Sequence, residues 1–119
     1  MRNPSIEQRA IEAVKRYEAR HGRKTERRFG VGFDLCSGGK GGHRHIEVKG
    51  TLKSTFTRRW LEAKEYKVFR ADSRFWLYLV TNVGARPKVH VIDRQTLGRR
   101  YVGPDTKYLF KFNAEDFEA

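Results

Sequence analysis

The run Phe75-Trp76-Leu77-Tyr78-Leu79-Val80 is the most apolar stretch of the chain, and it restricts the available folds more than any other feature. An unbroken apolar run of this length, rather than an alternating one, is typical of a strand that is buried on both faces. A sheet with such a strand needs a covering layer on each side. We therefore predict a strand from Arg74 to Val83 inside a sheet that is flanked by helices.

The other patterns supply the remaining elements of a single α/β domain over residues 1–119. Ser5 with Gln8 fits a capping box that opens a helix, and Gly22 can close it in the left-handed conformation. Gly-rich residues 37–42 read as a hairpin loop that lacks the features of a phosphate-binding loop. The predicted order is a helix from Ser5 to Gly22, strands at Glu26–Phe29, 30–36 and His43–Lys49, a helix at Arg58–Phe69 capped by Thr57, strands at Arg74–Val83 and Lys88–Asp93, a basic connection at Thr96–Pro104, and a strand at Tyr108–Phe112. This order predicts a mixed β-sheet flanked by helices.

The charge balance indicates a polyanionic partner. Lys and Arg number 26 against 14 Asp and Glu, which gives a formal net charge of +12, and nucleic acid is the commonest partner of such a basic domain. An anionic membrane is the lesser alternative, because no strongly apolar helix accompanies the charge. The sequence has no transmembrane-length apolar run and no signal-peptide pattern at Met1–Ala10, so we expect a soluble, cytoplasmic protein. The lone Cys36 excludes an internal disulfide and a multi-cysteine zinc site, and it reads as a small core residue.

The chemistry of the chain concentrates between Asp34 and Lys49. Two carboxylates on adjacent strands, Asp34 and Glu47, can converge on Mg2+ or Mn2+, with the Val48 carbonyl as a further oxygen ligand. Such a metal would polarise a scissile phosphate and activate a water, and Lys49 would orient that water or stabilise the developing charge. Glu18 lies at the border of the first helix's apolar stripe, either as a further ligand or in a surface salt bridge.

Strand alternation places His43 and His45 on the same face as Glu47 and Lys49. A zinc site built on the two histidines is the weaker interpretation, because the cysteine cluster that usually accompanies it is missing. We expect His45 to contact a phosphate or a base instead.

Several segments resemble a known family. They are Tyr17-Glu18 followed by Gly22-Arg23, Gly32-Phe33-Asp34-Leu35, the run from His45 through Ile-Glu-Val-Lys to Thr51, and Phe75 to Val80. Together they resemble the domain found at the C-terminus of the NO VEIN protein and attached to many bacterial helicases, over roughly residues 6–93. That family is placed in the PD-(D/E)xK superfamily with the restriction-endonuclease-like fold. The resemblance implies metal ligands at Asp34 and Glu47, a catalytic lysine at Lys49 and a supporting acid at Glu18. The chain departs from the family at Trp60, which stands where many relatives start the second helix with a glutamate.

The resulting hypothesis is a Mg2+-dependent endonuclease that acts on DNA, with a structure-selective, resolvase-type enzyme as a special case. Cleavage of both strands would need a homodimer, and the family suggests a helicase or a restriction or repair protein as partner. The nucleic-acid contacts that we predict are Lys40, His45, Lys53, Arg58 and Arg59. The first alternative is a non-catalytic nucleic-acid-binding module of the same fold. The second is an RNA-binding protein that stacks bases on Phe75, Trp76 and Tyr78, although we interpret these side chains as core.

Overall fold

The computed structural model describes residues 4–39, 41–103 and 108–118. The elements in chain order are α1 (Ile6–Arg20), β1 (Arg23–Arg27), β2 (Leu35–Gly39), β3 (Arg44–Gly50), β4 (Arg58–Leu61), α2 (Ala63–Ala71), β5 (Phe75–Thr81), β6 (Lys88–Asp93), α3 (Arg94–Arg99), β7 (Tyr101–Gly103), β8 (Tyr108–Lys111) and a short 3-10 helix (Ala114–Phe117). None of the helices in the described ranges is long and apolar enough to cross a membrane.

The strands form two sheets. The larger has five strands in the order β1-β2-β3-β5-β6, and the smaller has the order β4-β8-β7. Within the larger sheet, β3 and β5 run parallel, and the other neighbours are antiparallel. The helix α1 packs on one face of this sheet, and α2, α3 and the smaller sheet pack on the other. The predicted α/β class, a mixed sheet flanked by helices, is confirmed.

The strand β5 lies between the two cores, as its apolar run predicts. The side chains of Phe75, Leu77 and Leu79 pack against α2 and α3. Tyr78 packs against α1 on the opposite face and is fully buried, as is Phe75. Trp76 is only half-buried, at the sheet surface, with the Arg44 guanidinium 3.8 Å from the centre of its ring. The core interpretation therefore holds for Phe75 and Tyr78 and only in part for Trp76.

The helix α1 begins and ends as its sequence predicts. The Ser5 hydroxyl accepts a hydrogen bond from the Gln8 amide, and the Gln8 side chain accepts one from the Ser5 amide, both at 3.0 Å. Gly22 follows the helix with φ 76°, the left-handed conformation that glycine adopts without a steric penalty. Helical spacing predicts one apolar stripe along Ile6, Ala10, Ala13, Val14 and Tyr17, and this prediction is wrong at its first residue, because Ile6 is 42% exposed.

The strands of the first hairpin begin and end at different residues from the predicted ones. The expected strands at Glu26–Phe29 and 30–36 lie instead at Arg23–Arg27 and Leu35–Gly39. Residues 37–39 were predicted to be loop, but they form strand: Ser37 pairs with both β1 and β3, and Gly38 and Gly39 pair with β1. Backbone pairing with β1 outweighs the low strand propensity of glycine. The segment 28–34 connects β1 to β2, the connection from β2 to β3 begins after Gly39, and Lys40 lies outside the described residues.

The second helix begins later than predicted. Arg58–Leu61 forms β4, which pairs with β8, and the helix starts at Ala63. Thr57 therefore does not cap it, and Glu62 is the N-cap. Leu61 is buried in the second core while the preceding three residues are exposed, so pairing with a strand distant in sequence decided the conformation of this segment. The predicted basic connection likewise contains α3 and β7, with Asp93 accepting a hydrogen bond from the Thr96 amide at 2.7 Å.

Candidate active site

Asp34 and Glu47 meet because β2 begins immediately after Asp34. The Asp34 amide donates to the Ile46 carbonyl at 2.8 Å, which continues the pairing of β2 with β3 by one residue. The next amide of β3, that of Val48, donates its hydrogen bond to the Asp34 side chain and not to a backbone carbonyl of β2. The acceptor is Oδ2, at 2.8 Å. Glu47 lies between these two anchor points, on the face of β3 that looks toward α2, and is 3% exposed. Backbone pairing therefore brings the two carboxylates together.

Lys49 joins them from the same face of β3. Its Nζ lies 3.2 Å from Glu47 Oε2 and donates to Glu65 Oε1 and Oε2 at 2.9 and 3.1 Å. Glu65 lies in the first turn of α2, where Oε1 also accepts a hydrogen bond from the Glu62 amide at 2.9 Å. We call Asp34, Glu47, Lys49 and Glu65 the acid–lysine cluster.

Glu65 is the residue of this cluster that sequence reasoning missed. The signal was present, because Glu62 and Glu65 have the spacing of a capping box. Because the sequence analysis started the helix at Arg58, Glu62 and Glu65 fell inside the predicted helix and were not recognised as its start. Trp60, which the family comparison had set against a glutamate, lies in β4. The first turn of α2 nevertheless carries an acidic side chain that reaches the lysine.

The electrostatics of the cluster are dominated by burial of negative charge. Burial, and then the neighbouring Asp34 carboxylate, raise the pKa of Glu47 to about 10. Burial alone would lower the pKa of Lys49, but Glu47 and Glu65 outweigh it and the pKa of Lys49 is raised. Two carboxylates, Glu47 and Glu65, therefore contact one ammonium group, and the third, Asp34, lies 3.4 Å from Arg27 Nη1. The raised pKa of Glu47 means that burial favours its neutral form, whereas an added cation would favour the ionised form.

The donor set fits a small hard cation. Residues in a strand direct their amide and carbonyl to the same side, so the Val48 carbonyl opens toward the Asp34 side, where β2 has not yet begun. Two carboxylates and one main-chain oxygen, completed by water, are ligands that Mg2+ accepts. In the parts of the chain that the structure describes, no group of three His, Cys, Asp or Glu residues could hold a metal ion. The fit therefore rests on oxygen chemistry and on the excess negative charge, and the histidines do not build a zinc site there.

A cavity of about 280 Å³ opens onto the cluster. Asp34, Glu47 and Glu65 line it together with Phe29 and Lys64. Its rim is the connection 28–34, which is tied down by Arg27, whose Nη1 donates to the Asp34 carbonyl at 2.9 Å. Lys64 fixes the same rim by donating to the Gly30 carbonyl at 2.9 Å. The acids can therefore be reached from solvent through a defined opening.

The structure does not bring Glu18 to this cluster. Glu18 is fully buried on the α1 face of the sheet, where Arg23 donates to Oε1 at 2.8 Å and to Oε2 at 2.5 Å. Ser37 Oγ also donates to Oε1, at 2.7 Å. Burial raises the pKa of Glu18, but the hydrogen bonds from Arg23, Ser37 and Tyr78 outweigh it, and the pKa is lowered. Glu18 thus holds a salt bridge, as the alternative interpretation expected, but a buried one.

The predicted nucleic-acid contacts scatter over the surface. His45 Nδ1 lies 2.5 Å from Asp72 Oδ2, and its ring stacks on Phe33 at 4.5 Å. Lys53 is exposed in the loop after β3, and Arg58 is exposed on β4. Arg59 lines a cavity of about 500 Å³ together with Lys49, so it lies beside the cluster.

Comparison with known proteins gives one family and one fold. The family model described as "Protein NO VEIN, C-terminal" matches residues 6–92. Among curated proteins the comparison finds no match. A solved structure, Hjc from Archaeoglobus fulgidus, a Holliday junction resolvase, superposes with a TM-score of 0.67 at 17% identity, over 95% of this chain and 88% of that one. That similarity shows the restriction-endonuclease-like fold.

Proposed function

The chain belongs to the family of the NO VEIN C-terminal domain, and from that premise we propose that it is a metal-dependent nuclease that hydrolyses phosphodiester bonds in DNA. The observation that carries the proposal is the convergence of Asp34 and Glu47 at an accessible cavity, with Lys49 Nζ 3.2 Å from Glu47 Oε2. A net charge of +12 supports a polyanionic substrate. The fold that the chain shares with a Holliday junction resolvase is compatible with this chemistry.

Each residue of the cluster has a distinct task in the proposed reaction. Asp34, Glu47 and the Val48 carbonyl would hold Mg2+ or Mn2+, and the bound metal supplies Lewis acidity and a lowered pKa for water. A cation at that position would favour the ionised form of Glu47, because opposite charge stabilises the carboxylate. Lys49 Nζ stabilises negative charge on the phosphate. Glu65 holds Lys49 in place and touches no substrate, so we treat it as a positioning residue.

The test is cleavage of plasmid and synthetic DNA with Mg2+ or Mn2+ and with EDTA. We expect Glu47→Ala and Lys49→Ala to abolish cleavage while DNA binding persists. The matched controls are Glu12→Ala and Lys15→Ala, an exposed ion pair on α1 with a 3.7 Å separation, and these should cleave normally. Binding with no cleavage under any of these metals would overturn the enzymatic proposal.

A specific observation favours a second candidate, a non-catalytic nucleic-acid-binding module. Lys49 is engaged by both Glu47 and Glu65, so the lysine is held in place without any other ligand. If the module is correct, Glu47→Ala leaves every measured DNA property unchanged and lowers stability only.

The substrate and the setting belong to the same proposal. The similar solved structure is that of a Holliday junction resolvase, so a four-way junction is the first branched substrate to compare with linear duplex. Preference for the junction over duplex of the same sequence would support a structure-selective nuclease. Equal cleavage of the two would reject that selectivity. Homodimerisation, a helicase or repair partner and a cytoplasmic location are further parts of the proposal.

A further inference from the structure

A second cavity, of about 520 Å³, lies on the sheet beside the cluster and is strongly basic. The side chains of Lys24, Arg28, His43 and Arg74 line it, and we call the feature the basic groove. Lys24, His43 and Arg74 are exposed. Glu26, the carboxylate among its described lining residues, already pairs with Arg28 at 3.0 Å. The groove therefore presents positive charge to solvent with little to neutralise it.

The basic groove continues into the cavity of the acid–lysine cluster. Arg28 lines both cavities, so the two share a wall. One end of the combined channel carries cationic side chains, and the other carries Asp34 and Glu47. This arrangement fits a nucleic-acid backbone whose phosphates bind the cationic side chains at one end of the channel and reach the acids at the other.

An exposed aromatic ring lines the cavity of the acid–lysine cluster next to Arg28, the residue that the two cavities share. Phe29 is 77% exposed, the most exposed of the large hydrophobic residues described. The Arg27 guanidinium lies over its ring, 4.5 Å from the centre. That guanidinium covers one face of the ring, and at 77% exposure the other face is open to solvent. Unpaired bases stack on such rings with little regard to sequence.

We propose that the basic groove and Phe29 bind an unpaired DNA strand and lead it to the acid–lysine cluster. The inference rests on the proposed function and adds the class of substrate. A cavity of about 520 Å³ is in the range of clefts for compact ligands, so it accommodates a few nucleotides of one strand rather than a duplex. The bases of a duplex are already stacked on each other and cannot use Phe29. A charged groove together with a stacking platform is how sequence-independent single-strand binders work.

The first test measures binding in EDTA, so that hydrolysis plays no part. Fluorescence anisotropy compares a labelled single strand with a blunt duplex of the same length over a range of salt concentrations. The variant is Lys24→Gln with Arg74→Gln. The matched control is Arg9→Gln with Arg16→Gln, two exposed arginines on α1 at the opposite face. For a single strand, each lost phosphate contact reduces the log–log salt slope by about 0.7, so the groove variant should lose about 1.4.

The outcomes separate the groove from general basicity. The proposal predicts that the control keeps the parental slope and that the duplex is less affected than the single strand by the groove variant. Equal losses in the two double variants, or an unchanged slope in the groove variant, would overturn it. Tighter binding of an RNA strand of the same sequence would reject DNA as the ligand.

The second test isolates the stacking platform. A single strand that contains 2-aminopurine reports stacking as fluorescence quenching, again in EDTA. Phe29→Ala should remove the quenching and weaken binding roughly 5- to 100-fold, the range for one base–aromatic stack, whereas Phe29→Tyr should retain both. Undiminished quenching in Phe29→Ala would reject the platform. If these results hold but no metal supports cleavage, the groove stands and the nuclease proposal fails. If cleavage is robust but the groove variants bind normally, the nuclease stands and the groove fails.

Discussion

The position of Lys49 depends on Glu65, a neighbour outside the Glu-x-Lys motif. Its ammonium group is held by both oxygens of Glu65, at 2.9 and 3.1 Å, and by Glu47 at 3.2 Å. Glu65 is itself fixed by the Glu62 amide. Without the Glu65 charge, the Lys49 ammonium group would be held by Glu47 alone. We therefore expect it to move away from the position that the two carboxylates define.

We predict that Glu65→Gln lowers kcat roughly 10- to 100-fold with little change in KM, the size of effect seen when a supporting side chain around a metal site is removed. Steady-state cleavage of a fluorogenic oligonucleotide measures the two constants. Glu7→Gln is the matched control, because Glu7 lies in the first turn of α1, is exposed and is remote from the cluster. A rise in KM alone would show that Glu65 acts on substrate binding and not through Lys49.

Glu18 belongs to the stability of the molecule rather than to its chemistry. Its carboxylate is fully buried and held by Arg23, whose side chain is 9% exposed. Breaking a buried pair by removing one partner costs about 3–5 kcal/mol, because the other charge is left buried without compensation. We predict that Glu18→Gln lowers the free energy of unfolding in urea by about that amount, while the remaining folded protein cleaves DNA at the parental rate.

The pH dependence of this loss follows from the lowered pKa of Glu18. A carboxyl whose pKa is lower in the folded protein contributes stability above its unfolded value, 4.5, and loses it as the pH falls toward the folded value. The difference between the parent and Glu18→Gln should therefore be full at pH 7 and shrink below about pH 4.5. A cleavage rate that falls with no change in unfolding would instead return Glu18 to the active site. The double variant Glu18→Met with Arg23→Met should recover much of the stability, because it leaves no uncompensated charge.

At the scale of elements, Gly50 sets how closely α1 approaches β3. A Cβ at this position would lie 2.8 Å from the Ala10 Cβ and 3.3 Å from atoms of Ile6 and Val83. The glycine that ends the Glu-Val-Lys-Gly motif is thus needed for packing directly after the lysine.

Gly50→Ala should therefore destabilise the protein by about 1–3 kcal/mol, the usual cost of overpacking a filled core. Chemical denaturation measures the change. Gly103→Ala is the control, since nothing lies within 4 Å of its added Cβ, and it should shift stability by no more than about 0.5 kcal/mol. A Gly50→Ala variant as stable as the control would mean that α1 can move away from the sheet at no cost.

The sequence was informative about elements where local chemistry decided them. The capping box at Ser5, the left-handed Gly22 and the doubly buried β5 depend on near neighbours or on simple burial. The sequence was misleading where pairing with a strand distant in the chain decided the secondary structure. Arg58–Leu61 became strand because β8 lies beside it, and residues 37–39 became strand because they pair with β1.

The cluster shows the same division. Alternation correctly set Glu47 and Lys49 on one face of β3. For Glu18 the sequence left a metal ligand and a surface salt bridge open, because helical spacing along α1 does not reveal which side of the sheet the helix covers; the structure shows a buried salt bridge with Arg23. Glu65 was missed because the start of α2 depends on where β4 ends.

At the scale of the whole molecule, the described chain measures 37 × 32 × 30 Å and carries one acid–lysine cluster within its described residues. Under the proposed function, scission of one phosphodiester bond would use one such cluster. A chain acting alone would then nick one DNA strand, and cutting the second strand at the same place would need a second chain or a second encounter. The +12 charge favours separate chains in solution at low salt, so the substrate itself would bring two of them together.

We predict that supercoiled plasmid is converted first to nicked circles, at an initial rate proportional to protein concentration. Linear DNA should form later, at a rate that rises with the square of that concentration. Gel densitometry over a tenfold range of protein measures both orders, and sedimentation without DNA gives the oligomeric state. A mixture of Glu47→Ala and parent chains tests this cooperation. A nick needs one active chain and a linear product needs two, so the inactive variant should suppress linear product more strongly than nicked product. Linear product formed in first order by a sedimenting monomer would show that the second strand is cut by a single chain in a separate encounter, and would reject the cooperation of two chains.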